Sequence, residues 1–516
     1  MAARRGVAEA PPPAESAAFE PADKPPPRTL FGLRPAVLLC ASAAASASFA
    51  LGYDVGVMSG AKRLVQRELQ LPTPRLELLV GSLNLVSGLG GLASGALADG
   101  VGRRRAAAAA CLATASGALL MAGARAYAPL LAGRLVTGVG VGACFHVAPL
   151  YLSEVAPRHV RGVLVSSFDL FINVGILAGF VAAWALRGAG WRLMLGLGGV
   201  PPALLLLALV RLPESPRHLV ATRREREARA VLRAIYSDEE AEATFELLQE
   251  DARTHRALPS RASARRVLCP PAGAQRALVI AGLGVAFFQQ ATGVEAAVYY
   301  TPETLEAAGI DDEAMLLLAT VGVGLIKVVF IIISAFLVES HGRVPLLLLS
   351  SAGGIAFSQA LIGLSFTLGG SCLFMAFFSI GSGPCSMMVA AECFPLQERC
   401  NTQLHAALWP AHSPRASPQV RGMGMGIATL VNRVTSGTIA LCFLSLSSAL
   451  TPAVTYYLFA TIAVGACFFI SSRVPETKGK ALEEIEREMV ERHLSSVAVK
   501  VGATAAPQLQ PSQLPI

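Results

Sequence analysis

Apolar runs of membrane-crossing length follow one another along most of the chain, separated by short polar junctions. A membrane helix needs about 20 mostly apolar residues. Twelve stretches meet that need: six near 36–60, 78–98, 106–124, 128–152, 163–186 and 193–211, and six near 277–300, 314–338, 345–367, 371–393, 422–446 and 453–472. Residues 212–275 break the pattern with eleven Arg and ten acidic residues, and carry helix-like stretches at Glu225–Ile235 and Glu239–Arg253. The pattern predicts an all-α membrane protein. A six-helix bundle over 35–211 is followed by a helical linker over 212–275 and a second six-helix bundle over 276–474. Residues 1–34, rich in Pro and Ala and without an apolar core, are expected to be a disordered tail and not a signal peptide. Residues 475–516 form a second tail, in which Leu482 to Arg492 reads as a short amphipathic helix.

Composition narrows the function. The chain is 53% hydrophobic and 15% charged, where a soluble domain carries about 25% charge. An ordinary soluble enzyme is excluded, and no P-loop, nucleotide fingerprint, metal-spaced cluster or nucleophile elbow is present. The ten Cys form no CxxC pair and read as small apolar residues, so neither a metal nor any other cofactor is expected. The net charge of +8 sits in junctions and in the linker, which points to membrane topology and away from nucleic acid.

Arg103, Arg104 and Arg105 lie between spans two and three, Arg158 and Arg161 between four and five, and the basic linker between six and seven. All are even-to-odd junctions, so that face and both termini are expected in the cytosol. Lys62, Arg63, Arg67 and Arg75 after span one run against this reading. The loop after span seven is acidic, with Glu303, Glu306, Asp311, Asp312 and Glu313.

The halves echo each other. Asp99-Gly-Val-Gly-Arg103-Arg104 after span two matches Glu339-Ser-His-Gly342-Arg343 after span eight. Glu154 to Arg161 after span four matches Glu392-Cys-Phe-Pro395 with Arg421-Gly422 after span ten. Pro213-Glu214-Ser-Pro-Arg217 closes span six, and Pro475-Glu-Thr-Lys-Gly479 closes span twelve. Together with Gly52-Tyr-Asp54 through Gly60, Gly133-Arg134, Phe287 through Gly293 and Val431-Asn432-Arg433, these residues resemble the sugar porter family of the major facilitator superfamily over about 35–490. The nearest likeness is to plant-type proton-coupled polyol and monosaccharide transporters. The resemblance implies the major facilitator fold, alternating access without covalent chemistry, and a sugar or polyol, a proton and the lipid bilayer as partners of a monomer in the plasma membrane.

An ionisable side chain at the bilayer centre costs at least about 2.5–3.5 kcal/mol, so each asks for a reason. Proton-coupled relatives pair an acid and an Arg at the positions of Asp54 and Arg134. Burial raises a carboxyl pKa and a neighbouring Arg lowers it, so a change in their separation loads or unloads a proton. The alternative is a permanent structural ion pair.

Asp169 and Asn173 share a face of span five. Gln289, Gln290, Glu295, Lys327 and Asn432, with Arg433 weaker, complete the expected substrate site. A break at Thr292-Gly293 would bring Glu295 to the two Gln residues. The bland alternatives are a mutual Glu295–Lys327 salt bridge and helix–helix contacts through Gln289 and Gln290.

By resemblance, Asp99, Arg103, Arg104, Glu154, Arg161, Glu214 and Arg217, with Glu339, Arg343, Glu392 and Arg421 in the second half, form a cytosolic latch. Such a latch ties the bundles in one state and parts in the other. Three departures matter: Met387 where relatives carry Trp, Val344 where a second Arg is usual, and an apparent inserted loop at 398–419. Met387 removes a flat stacking surface and leaves linear polyols open. Proton-coupled transport is the leading expectation. A facilitative uniporter is the runner-up, and a non-transporting sugar sensor is disfavoured because the tails are short.

Overall fold

The computed structural model describes residues 35–254, 274–365, 367–393 and 418–478, and every element among them is helical. α1 (Pro35–Leu69), α2 (Thr73–Val101), α3 (Arg103–Ala122), α4 (Tyr127–Val155) and α5 (Arg158–Ala185) precede a sixth span divided into α6 (Trp191–Leu197) and α7 (Val200–Leu209). Three polar helices follow: α8 (Pro216–Ala221), α9 (Glu225–Ile235) and α10 (Asp238–Thr254). The second set opens with α11 (Ala274–Ala291) and α12 (Val294–Ala307), then α13 (Glu313–His341). α14 (Arg343–Leu348) passes through a π-helical segment, Leu349–Ile355, into α15 (Ala356–Ser365). α16 (Leu368–Ile380), α17 (Ser382–Cys393), α18 (Pro418–Leu450) and α19 (Pro452–Arg473) complete the chain.

Eleven spans among the described residues are long and apolar enough to cross a membrane. α1, 35 residues long and rich in Ala, adds the twelfth. The helices group as two six-span bundles. α2 packs on α18, and α5 on α13, along the seam between them. The polar helices α8–α10 close on a small core of Leu219, Val220, Ala228, Leu232, Ala241 and Phe245.

Glycine sets the closest crossing. Gly52 and Gly56 on α1 lie against the carbonyls of Ile172 and Ile176 on α5, and a β-carbon at either would overlap backbone. Gly175 and Gly179 return the contact against Phe49, Tyr53 and Val57. Within lipid, where apolar burial drives helix association weakly, such backbone approach supplies the packing. Gly56→Val is therefore expected to cost at least about 1–3 kcal/mol, read as a lowered melting temperature in detergent. Gly322→Ala, with open space around the added carbon, is expected to leave the melting temperature unchanged.

One break matches the sequence expectation and two boundaries differ from it. Span seven breaks at Gly293, whose φ of +84° only glycine adopts easily, and this is the anticipated break. Span ten also breaks, at Gly381, where the backbone presses on the Leu346 carbonyl so closely that no β-carbon fits. Nothing in the periodicity marked it. α18 begins at Pro418, so residues 418–419 of the expected insertion are helical. Residues 398–417, the tail 1–34 and the amphipathic stretch from Leu482 to Arg492 lie outside the described residues.

Candidate transport site

Two groups of buried charge and one rim network carry the chemistry. The first is the pair between α1 and α4. Asp54 Oδ2 lies 2.5 Å from Arg134 Nη1, with Asp54 5% exposed and Arg134 fully enclosed. Arg134 Nε also donates to the Leu79 carbonyl on α2 at 3.3 Å. Its Nη2 has no partner among the described residues. Burying two ions is costly, and the close pairing offsets part of that cost. Asp54 is thus a carboxylate whose only counter-ion among the described residues sits on a neighbouring helix.

The second group lies across the seam. On α5, the Asn173 amide donates to the Asp169 backbone carbonyl at 2.8 Å, leaving Asp169 Oδ2 and Asn173 Oδ1 buried without a partner among the described residues. On α11, Gln289 donates to the carbonyls of Ser382 and Gly383, at 3.0 and 2.9 Å, beside the Gly381 break. Asn432 on α18 donates to Gln289 Oε1 at 2.8 Å and accepts from Gln290 at 3.3 Å, which joins both amides. Gln290 Oε1 has no partner among the described residues. Gln289 and Asn432 thus do serve as helix contacts, while Gln290 and Asn173 retain free acceptors.

Glu295, two residues past the break, pairs with Arg433 of α18 at 3.8 Å and not with Lys327. The alternative of a mutual Glu295–Lys327 bridge is therefore not what forms among the described residues; Glu295 pairs with Arg433. Glu295 Oε2 is buried and unpartnered among the described residues. Arg433 also stacks over the Phe145 ring of α4 at 4.4 Å, reaching across to the first bundle. Lys327 on α13 feels the attraction of both Glu295 and Asp169. No ion pair within 4.0 Å or hydrogen bond engages its Nζ among the described residues, and it lies 5.7 Å over the Phe378 ring. Tyr299 is fully buried, with its hydroxyl unpartnered among the described residues. The unsatisfied set of Asp169, Asn173, Gln290, Glu295 and Lys327 offers two carboxylates, two amide oxygens and one ammonium. Those are the complements of a ligand rich in hydroxyls, each of which donates and accepts.

The rim network repeats in both halves. Arg103 binds Glu154 through Nε at 2.9 Å and Nη2 at 3.0 Å, and Asp99 at 3.0 Å. Glu214 accepts the backbone N–H of Arg103 at 2.8 Å and of Arg104 at 3.1 Å, at the start of α3. A carboxylate there satisfies orphan donors and complements the helix dipole. In the second half, Arg343 binds Glu392 at 3.2 Å, and Glu476 accepts the N–H of Arg343 at 3.1 Å and of Val344 at 2.9 Å. Gly102 and Gly342 precede the two helices with φ of +100° and +93°.

Glu476 was not among the expected latch residues, although its Pro-Glu-Thr repeats the Pro-Glu-Ser around Glu214. The Val344 substitution leaves the backbone cap intact and loses only a side-chain tie. At the matching position Arg104 donates to the Val210 carbonyl at 3.1 Å. Each of these pairs lies within one bundle. Arg217 is half-buried on α8. The side chains of Arg161, Glu339 and Arg421 lie outside the described residues.

Comparison with known proteins gives a consistent outcome. The family model described as "Sugar (and other) transporter" matches residues 40–410 and 407–489, the two segments meeting inside the expected insertion. The chain is 38% identical to "Probable polyol transporter 4" of Arabidopsis thaliana, over 87% of this chain and 84% of that one. It is 36% identical to "Polyol transporter 5" of the same plant, covering 90% and 87%. With "Glucose transporter GlcP" of Staphylococcus epidermidis it shares 33%, covering 86% and 94%. Among solved structures, the inward-open xylose transporter XylE from E. coli superposes with a TM-score of 0.70 at 23% identity, over 88% of this chain and 100% of that one. A second structure, of the major facilitator superfamily proton:xylose symporter XylE, gives 0.69 at 23%, over 88% and 99%.

Proposed function

The chain belongs to the sugar transporter family, and from that premise we propose that it carries a polyol or monosaccharide across a membrane by alternating access, with a proton as co-substrate. The observation that supports the proton is the enclosed Asp54–Arg134 pair at 2.5 Å. The relatives named polyol transporters support the substrate class, and the proton:xylose symporter with the same fold supports the coupling.

In this reading Asp54 without a proton is held by Arg134. Protonation removes the attraction, α1 and α4 separate more easily, and the bundles exchange the side on which the site opens. Asp169, Asn173, Gln289, Gln290, Glu295, Lys327 and Asn432 hold the ligand between the bundles, and with Arg433 the site's charges balance, which suits a neutral polyhydroxyl ligand. The networks around Arg103 and Arg343 are the halves of a latch at the basic rim, each complete within its own bundle while that latch is open. That rim and both termini face the cytosol, the linker over 212–275 braces the bundles there, and the protein acts as a monomer in the plasma membrane.

Purified protein in vesicles with an imposed proton gradient tests this. Labelled linear polyols and hexoses are offered in turn, with and without a protonophore. Concentrative uptake that a protonophore collapses is expected. Uptake that equilibrates and ignores the protonophore would establish uniport and overturn the proton half of the reading.

A further inference from the structure

Three of the four basic residues after span one, which run against the charge rule for the rest of the chain, find their partners across the seam. Lys62 on α1 is fully enclosed, with its Nζ 2.7 Å from Glu303 Oε2 on α12 and 3.8 Å over the Tyr300 ring. Arg63 reaches both Glu303, at 3.8 Å, and Glu306. Arg67 meets Glu313 at the start of α13 at 2.8 Å. On α2, Glu77 is 2% exposed and accepts from both the backbone N–H, at 2.8 Å, and the hydroxyl of Ser445 on α18. All of these contacts join the first bundle to the second. The charge pairs described around Arg103 and Arg343, at the opposite rim, join nothing across the seam.

We propose that Lys62, Arg63 and Arg67 with Glu303, Glu306 and Glu313, and Glu77 with Ser445, form an ion-pair strap that shuts this face of the transporter and sets how often it opens. Parting the bundles here separates every pair at once. The strength is unevenly distributed. Arg67 and Glu313 are exposed and worth little. Lys62 has no access to water while the face is shut, so its pair with Glu303 is the core of the strap, and loss of Glu303 leaves the Lys62 charge enclosed alone. Once the face opens, water solvates both ions, which makes opening cooperative. The strap also accounts for the anomalous basic cluster. Those cations are kept for their contact with the acidic patch on the facing helices, against the orientation rule.

The inference rests on alternating access, but its test needs no substrate. Spin labels at Arg125→Cys, in the loop before α4, and Asp311→Cys, in the loop before α13, report the width of this face in a Cys442→Ser background. Pulsed dipolar spectroscopy of the parent in detergent is expected to give one dominant short distance. Glu303→Gln is expected to raise a longer-distance population, shifting the shut-to-open ratio by about tenfold or more, which is about 1.4 kcal/mol. The reversed pair Lys62→Glu with Glu303→Lys is expected to return the distribution toward the parent. Should Glu303→Gln fail to fold, Arg63→Gln with Arg67→Gln touches only the outer strap and is expected to give a smaller shift in the same direction. An unchanged distribution in whichever of these variants folds overturns the strap. Absence of polyol uptake alongside the expected distance shift counts against the substrate reading and leaves the strap standing.

Discussion

Asp54→Asn is expected to abolish accumulation of substrate against its gradient while leaving downhill exchange in place. The asparagine keeps the volume and can still face Arg134, but it takes no proton in the working pH range. A membrane potential of 100 mV is worth about 2.3 kcal/mol per proton, so about fiftyfold accumulation vanishes with the coupling. Uptake into vesicles at several external pH values, with the potential clamped by potassium and valinomycin, measures both parts. The parent should accumulate more as the outside is acidified, and the variant should show a flat, equilibrative profile. Arg134 then has an enclosed charge without a counter-ion, so a loss of thermal stability of about 3–5 kcal/mol is also expected. Concentrative uptake in Asp54→Asn would return the pair to a purely structural role.

The second large effect concerns Lys327. Its ammonium lies within the field of two carboxylates, Asp169 and Glu295, which stand on different bundles. Among the described residues no ion pair or hydrogen bond saturates it. A hydrogen bond to a charged group contributes about 1.5–3 kcal/mol, so Lys327→Met is expected to raise the substrate KM about tenfold to a hundredfold. The maximal rate and the melting temperature should change far less, because no protein pair is broken. Initial uptake rates across a substrate series, together with melting curves, separate the two quantities. A large drop in melting temperature with KM unchanged would make Lys327 a scaffold residue and remove it from the site.

The spans were legible because lipid imposes a strong rule: a run of some twenty apolar residues seldom serves any purpose except crossing it. Rim residues were legible for a different reason. The chain writes its network twice, so Glu154 and Glu392, or Gly102 and Gly342, identify each other by position. Glu476 was readable by the same logic: its motif stands out as the repeat of the one around Glu214, but the residue was not assigned to the network. The bends were readable where glycine coincided with flanking polar residues, as at Gly293. Gly381 was opaque because the reason for it, the Leu346 carbonyl of a helix thirty-odd residues earlier, is tertiary.

Pairing was the least legible layer. Glu295 and Lys327 both stood out as intramembrane charges, yet helical register alone did not distinguish Lys327 from Arg433 as the partner. That choice depends on how α12, α13 and α18 are rotated against each other. The strap around Lys62 went unread for a similar reason. Taken along the chain, its cations are an exception to a topological rule. Only when α1 is set against α12 do they become one side of a neutral contact.

One consequence of the Asp54–Arg134 contact concerns how the protein is made. The acid emerges from the ribosome eighty residues before its counter-ion. For that interval α1 must reside in or beside the translocon with an isolated carboxyl, and Gly52 and Gly56 have no α5 to receive them. The early helix is committed to the bilayer only provisionally and is secured when α4 and α5 arrive. Substitutions at Arg134 or Gly175 should therefore betray themselves first in the cell as immature chains retained and degraded during biogenesis, before any assay of turnover is possible.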